Sequence, residues 1–126
     1  MNILIPIAPV TKKNSNRIVK VRGRLMVIPS KRYKDYEKAC KEYLPKTEPI
    51  DQPVNVACVY YMPTRRKVDL VNLQEATLDV LVKHRVLSDD NSSIVFSMDG
   101  SRVFYDKENP RAEITITPIN CSVEDR

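Results

Sequence analysis

Apolar and polar positions along this chain repeat with two periods, and the switches between them mark its elements. Residues 2–8, NILIPIA, are apolar and β-branched, with Pro6 confining the strand to an edge or a bulge. A polar loop, TKKNSNR, follows. Residues 17–28 read as a hairpin, IVKV and RLMVI joined at Arg22-Gly23. Pro29-Ser30 opens a first helix with Ser30 as its N-cap; Tyr33, Tyr36, Cys40 and Leu44 recur at helical spacing and Pro45 stops it. Residues 46–53 form a linker, and 54–63 alternate as a half-buried strand ending at Pro63. A second helix runs from about Asp69 to His84, with Leu70, Leu73, Thr77, Val80 and Leu81 on its apolar face. Asp69, Asn72, Glu75 or Ala76, Asp79 and Lys83 step along its other edge. SDDNS, 88–92, is a polar turn. SIVFSMDGSRVFYD reads as two strands in a hairpin around Asp99-Gly100, and 111–119 alternate as a last strand.

The order is roughly ββαβαβββ, an α+β chain: a mixed β-sheet packed with two main helices. Residues 1–120 read as a single domain and 121–126 as a frayed tail. No apolar run approaches the roughly 18 residues of a membrane helix, and the N-terminus lacks the pattern of a secretory signal. Cys40, Cys58 and Cys121 show neither zinc spacing nor an even disulfide framework, which suits thiols in a reducing cytoplasm.

Charge sharpens the picture. The net charge is +5, but residues 12–38 carry ten Lys or Arg against Asp35 and Glu37. A basic stripe of this kind suits a polyanion, most often nucleic acid; a plain solvated surface is the alternative. Arg65, Arg66 and Lys67 then precede Asp69, where phosphate contacts are natural. Asp69 by itself reads as an N-cap, and Asp89-Asp90-Asn91 as a turn. If Asp69 and Asp90 met, a hard cation such as Mg²⁺ would fit, polarising a phosphodiester and its attacking water. They start at opposite ends of the helix and meet only if the following chain folds back along it. The single histidine, His84, reads as structural, at a helix C-terminus. With two glycines in the chain, a phosphate-cradling loop is excluded, and no organic cofactor is expected. The paired tyrosines read as half core, half surface.

Several pieces, in order, resemble the RusA-type Holliday junction resolvases over about residues 3–118: Lys12-Lys13-Asn14-Ser15; the stretch Pro29 to Glu37; Met62-Pro63 followed by cations; Asp69, Asn72, Leu73, Asp79 and Leu81; and Asp89-Asp90. The resemblance implies a homodimeric α/β endodeoxyribonuclease of phage or prophage type. Such an enzyme binds four-way DNA junctions in recombination and repair and makes paired nicks with Mg²⁺, for which Mn²⁺ substitutes. It would act in the cytoplasm, on nucleoid DNA. It places metal and catalytic roles on Asp69 and Asp90. Asp79 and Asp89 are further candidate metal ligands. Lys12, Lys13, Asn14, Arg17, Lys31, Arg65, Arg66, Lys67 and Asn72 are the expected DNA contacts.

Two positions depart from that family. Val71 stands where a second acid is usual, and Glu75 where a lysine is usual. These two are neighbours at i and i+4, and helical side chains lean toward the N-terminus. Glu75 is therefore expected to supply the carboxylate that Val71 lacks; the bland alternative is a solvated helix acid. The alternatives for the whole chain are a relative that binds branched DNA without cutting, or a basic nucleic-acid-binding module of another kind.

Overall fold

The computed structural model describes residues 1–12 and 16–120; the tail expected to fray, 121–126, lies outside them. Three strands precede the first helix. They are β1 (Asn2–Ile5), β2 (Asn16–Val21) and β3 (Arg24–Pro29). Then come α1 (Lys31–Cys40), a short 3-10 turn (Lys41–Tyr43), β4 (Val54–Met62), α2 (Leu70–Lys83), β5 (Val95–Ser97), β6 (Arg102–Tyr105) and β7 (Arg111–Pro118). The order is βββαβαβββ, and the three strands before α1 are the expected strand at 2–8 and the two arms of the expected hairpin. β2 and β3 leave the main sheet and form a two-stranded sheet of their own.

The central strand is β4. It pairs antiparallel with β7, which pairs antiparallel with β1. Pro6 falls just past β1, so the strand is an ordinary edge ended by proline. Alternate residues of β4 (Val54, Val56, Cys58, Tyr60) and β7 (Ala112, Ile114, Ile116) are buried on one face, where they join Leu73, Ala76, Val80 and Leu81 of α2. Tyr60 and Thr77 tie strand to helix through a buried 2.6 Å contact between hydroxyls. Tyr33 and Tyr36 are fully in this core, not half exposed as expected. Burial pushes the Cys40 and Cys58 thiols up to about 11, as for inert core residues.

The expected hairpin at Asp99-Gly100 does not form. β5 and β6 both run parallel to β4, pairing with its start and its end, and are two segments of one edge strand. Gly100 adopts φ +91°, so the Asp-Gly pair supplies the positive φ expected of it, but in a bulge that does not reverse the chain. The reason is 44 residues away. Asn55 in β4 accepts from Asp99 N–H at 2.8 Å and donates to the Asp99 carbonyl at 3.0 Å, closing the excursion from the side. By contrast, Arg22 (φ 50°) and Gly23 (φ 79°) form the two-residue reversal between β2 and β3.

Candidate active site

Helix α2 starts where expected because Asp69 caps it: its Oδ1 accepts the Val71 N–H at 3.0 Å. Among the described residues no donor meets the second carboxylate oxygen, and the residue is exposed. Val71, Glu75 and Asp79 follow at four-residue steps. Val71 is 63% exposed and Glu75 is exposed, so the two share the open face that the i, i+4 spacing predicts. Asn72 is not on that edge. It is buried, at 9% exposure, as is Ala76.

Beside the cap lies a cleft of about 250 Å³ lined by Thr11, Arg32, Thr64, Arg66, Lys67 and Val68, among others. Its cations come from α1 and from the loop before α2. Arg65 points elsewhere, with its guanidinium 4.2 Å from the Tyr105 ring centre. Arg32 was unmarked by sequence reasoning; it was one cation among ten, and only the packing of α1 against the β4–α2 loop distinguishes it.

The acids after α2 lie at the other end. The backbone N–H of Val54, at the start of β4, donates to the Ile94 carbonyl, whereas Asp69 follows the end of β4. The chain after Asp90 does return along β4, as β5 and β6, but Asp90 itself stays behind. Asp89 is used by its own turn: it accepts from Asp90 N–H at 2.7 Å and from Asn91 at 3.1 Å, which holds its carboxyl below the ordinary value. Partial desolvation and the neighbouring Asp89 raise Asp90, and the field of Asp79 adds to this. Asp79 is within the reach of a cation already. Lys12 Nζ lies 3.3 Å from its carboxylate, and 5.7 Å from the Tyr33 ring centre. Two residues expected in separate roles, DNA contact and metal ligand, are thus partners.

Among the described residues, no group of three or more His, Cys, Asp or Glu side chains could hold a metal ion within one chain. Lys31 pairs with Asp35 on the exposed side of α1. Lys13 and Asn14, and the side chain of Arg17, lie outside the described residues. His84 is structural as expected, its Nε2 2.8 Å from the Glu37 carbonyl.

A second group, at the end of β4, escaped sequence reasoning. The Arg111 guanidinium sits 3.7 Å from the Tyr61 ring centre, and Tyr61 stacks on Phe104 at 5.5 Å. The three belong to three strands, so no local spacing could have revealed them. A model of the family described as "Endodeoxyribonuclease RusA" matches residues 6–117. No curated protein matches the chain.

Proposed function

The chain belongs to the RusA endodeoxyribonuclease family, and on that premise we propose that it is a metal-dependent nuclease that resolves four-way DNA junctions as a homodimer. The observation that carries the homodimer is the separation of the acids. Asp69 caps one end of α2, a helix of 14 residues and so about 21 Å long, whereas Asp90 follows the other end in the chain and feels the field of Asp79, which is near that end. One chain does not close a site around both. Two copies packed with their α2 helices reversed bring Asp69 of one to Asp90 of the other, and do so twice. Two sites suit a junction in which two strands must be cut. Ile18, Leu25 and Val27, exposed on one face of the β2–β3 hairpin, supply apolar surface for contact between copies.

Mg²⁺ would be held by Asp69 and Asp90, with Glu75 one turn from Val71 as the further carboxylate. Such a donor set suits a hard cation that keeps waters and takes phosphate oxygens. When bound, the ion supplies Lewis acidity toward the phosphodiester. The chain's own residues do the rest. Asp69 is fixed by its cap, so its second oxygen is already oriented. Arg66, Lys67 and Arg32 line the adjacent cleft and would seat the phosphate backbone and offset charge gained in the transition state. Arg24, exposed on the other face of the hairpin, and Arg22 at its turn extend the basic surface.

The test is incubation of the purified protein with a synthetic four-way junction and a linear duplex of the same sequence, with Mg²⁺, with Mn²⁺ and with EDTA. Paired nicks in the junction alone, abolished by EDTA, are expected. Tight junction binding without nicks would instead favour a binding relative, and Val71 is the observation that would explain it.

A further inference from the structure

The face of the sheet turned away from the helices carries a column of flat groups. Tyr61 of β4 is paired in register with Arg111 of β7 on one side and Phe104 of β6 on the other, so the three side chains stand in a row across the sheet. The guanidinium covers one side of Tyr61 at 3.7 Å, and Phe104 covers the other with ring centres 5.5 Å apart and planes 27° apart. Arg111 is not free to leave. It bonds Asp106 at 2.9 Å and Glu113 at 3.1 Å, and these two acids hold its plane in place. The column is therefore rigid at its inner end.

Its outer end is open. β6 is an edge segment, paired only with β4, and Phe104 is 47% exposed. The flanking residues do not make an apolar patch around it. Arg102, two residues earlier and so on the same face, is exposed, and the loop after β4 brings Arg65 against the neighbouring Tyr105. One exposed ring flanked along the chain by Arg102 and Asp106 is poor surface for a protein partner, which needs contiguous apolar area. It is good surface for one more flat ring attached to a phosphate. The acids nearby, Asp106 and Glu113, share the one charge of Arg111, and the single negative charge left over is offset by Arg102 and Arg65.

We propose that Phe104 is a stacking shelf for a single unpaired nucleobase of the DNA, with Arg102 placed for the adjoining phosphate. This rests on the DNA reading above and adds a recognition site outside the carboxylate centre. A base laid on Phe104 continues the stack of Arg111, Tyr61 and Phe104, and needs no sequence match, because every base has a stacking face.

The test uses the full chain and a four-way junction carrying one 2-aminopurine at the branch, with EDTA present so that nothing is cut. Binding is followed by anisotropy and stacking by quenching of the 2-aminopurine. Wild type should quench on binding. Phe104→Ala should lose the quenching and bind about tenfold more weakly, with an unchanged dependence on salt, since no charge is removed. Phe104→Trp should keep both. Equal quenching or equal affinity in Phe104→Ala overturns the shelf. So does a change of Phe104→Ala from dimer to monomer in sedimentation, which would make this edge a protein contact. Wild type failing to bind any DNA would remove the nuclease reading and the shelf together; wild-type binding matched by the variant removes the shelf alone.

Discussion

The carboxylate of Asp69 accepts the backbone N–H of Val71 at 3.0 Å, so the candidate catalytic acid is also the cap of the helix that presents it. The two roles separate by substitution. Asp69→Asn keeps an oxygen acceptor for the cap and should melt within a degree or two of wild type, yet lose junction cleavage. Asp69→Ala should lose cleavage and also about 1 kcal/mol of stability. Thermal melts beside cleavage assays distinguish them; Asp69→Asn cleaving normally would leave the residue a cap only.

Glu75 shares an exposed face with Val71, one turn away. Glu75→Gln should abolish Mg²⁺-dependent cleavage, and junction affinity in EDTA should stay within about twofold of wild type. Normal cleavage by this variant would return Glu75 to the solvated surface. Restoring the more usual acid with Val71→Asp should raise activity in the Glu75→Gln background.

The buried pair Tyr60 and Thr77 allows a sharper stability prediction. Thr77 donates its hydroxyl hydrogen to the Leu73 carbonyl at 3.0 Å, so Tyr60 must be the donor in the 2.6 Å contact with Thr77. Tyr60→Phe removes that donor and leaves the Thr77 oxygen underused. A loss of about 1–2 kcal/mol in urea unfolding is expected.

Much of the fold is legible in the sequence where the determinant is local. The start of α2 follows from a short acid before an apolar period, and the observed Leu70–Lys83 differs by one residue at each end from the expected span. The Ser30 cap is likewise real, accepting from Tyr33 N–H. Asp99-Gly100 misleads because its turn chemistry is local but its pairing is not: Asn55 decides it from the far side of the sheet. The candidate site divides the same way. Asp69 is visible as a cap, but that Lys12 pairs with Asp79, 67 positions on, is set by how the N-terminal loop crosses α2. That Asp90 is left at the opposite end depends on where β5 pairs with β4.

The buried thiols give a pH dependence. Cys40 and Cys58 titrate at about 11 in the fold, above the ordinary value of 9.0. The folded state therefore keeps protons that the unfolded state releases. Their contribution is fully present below pH about 9 and is lost as pH rises toward 11. Unfolding free energy should fall across that window, and less steeply in Cys58→Ala than in wild type. In native protein at pH 8, neither thiol should react with a maleimide on the timescale of minutes.

In the proposed enzyme, Asp69 of one copy works with Asp90 of another. Asp69→Asn and Asp90→Asn chains should each be inactive alone. Mixed and allowed to exchange subunits, they form heterodimers in which one site carries both substitutions and the other carries neither. Nicking of a four-way junction should then reappear in the mixture, one strand per heterodimer, although neither parent cuts. A mixture that stays inactive, with heterodimers present and wild type cutting under the same conditions, would contradict a site shared between two chains.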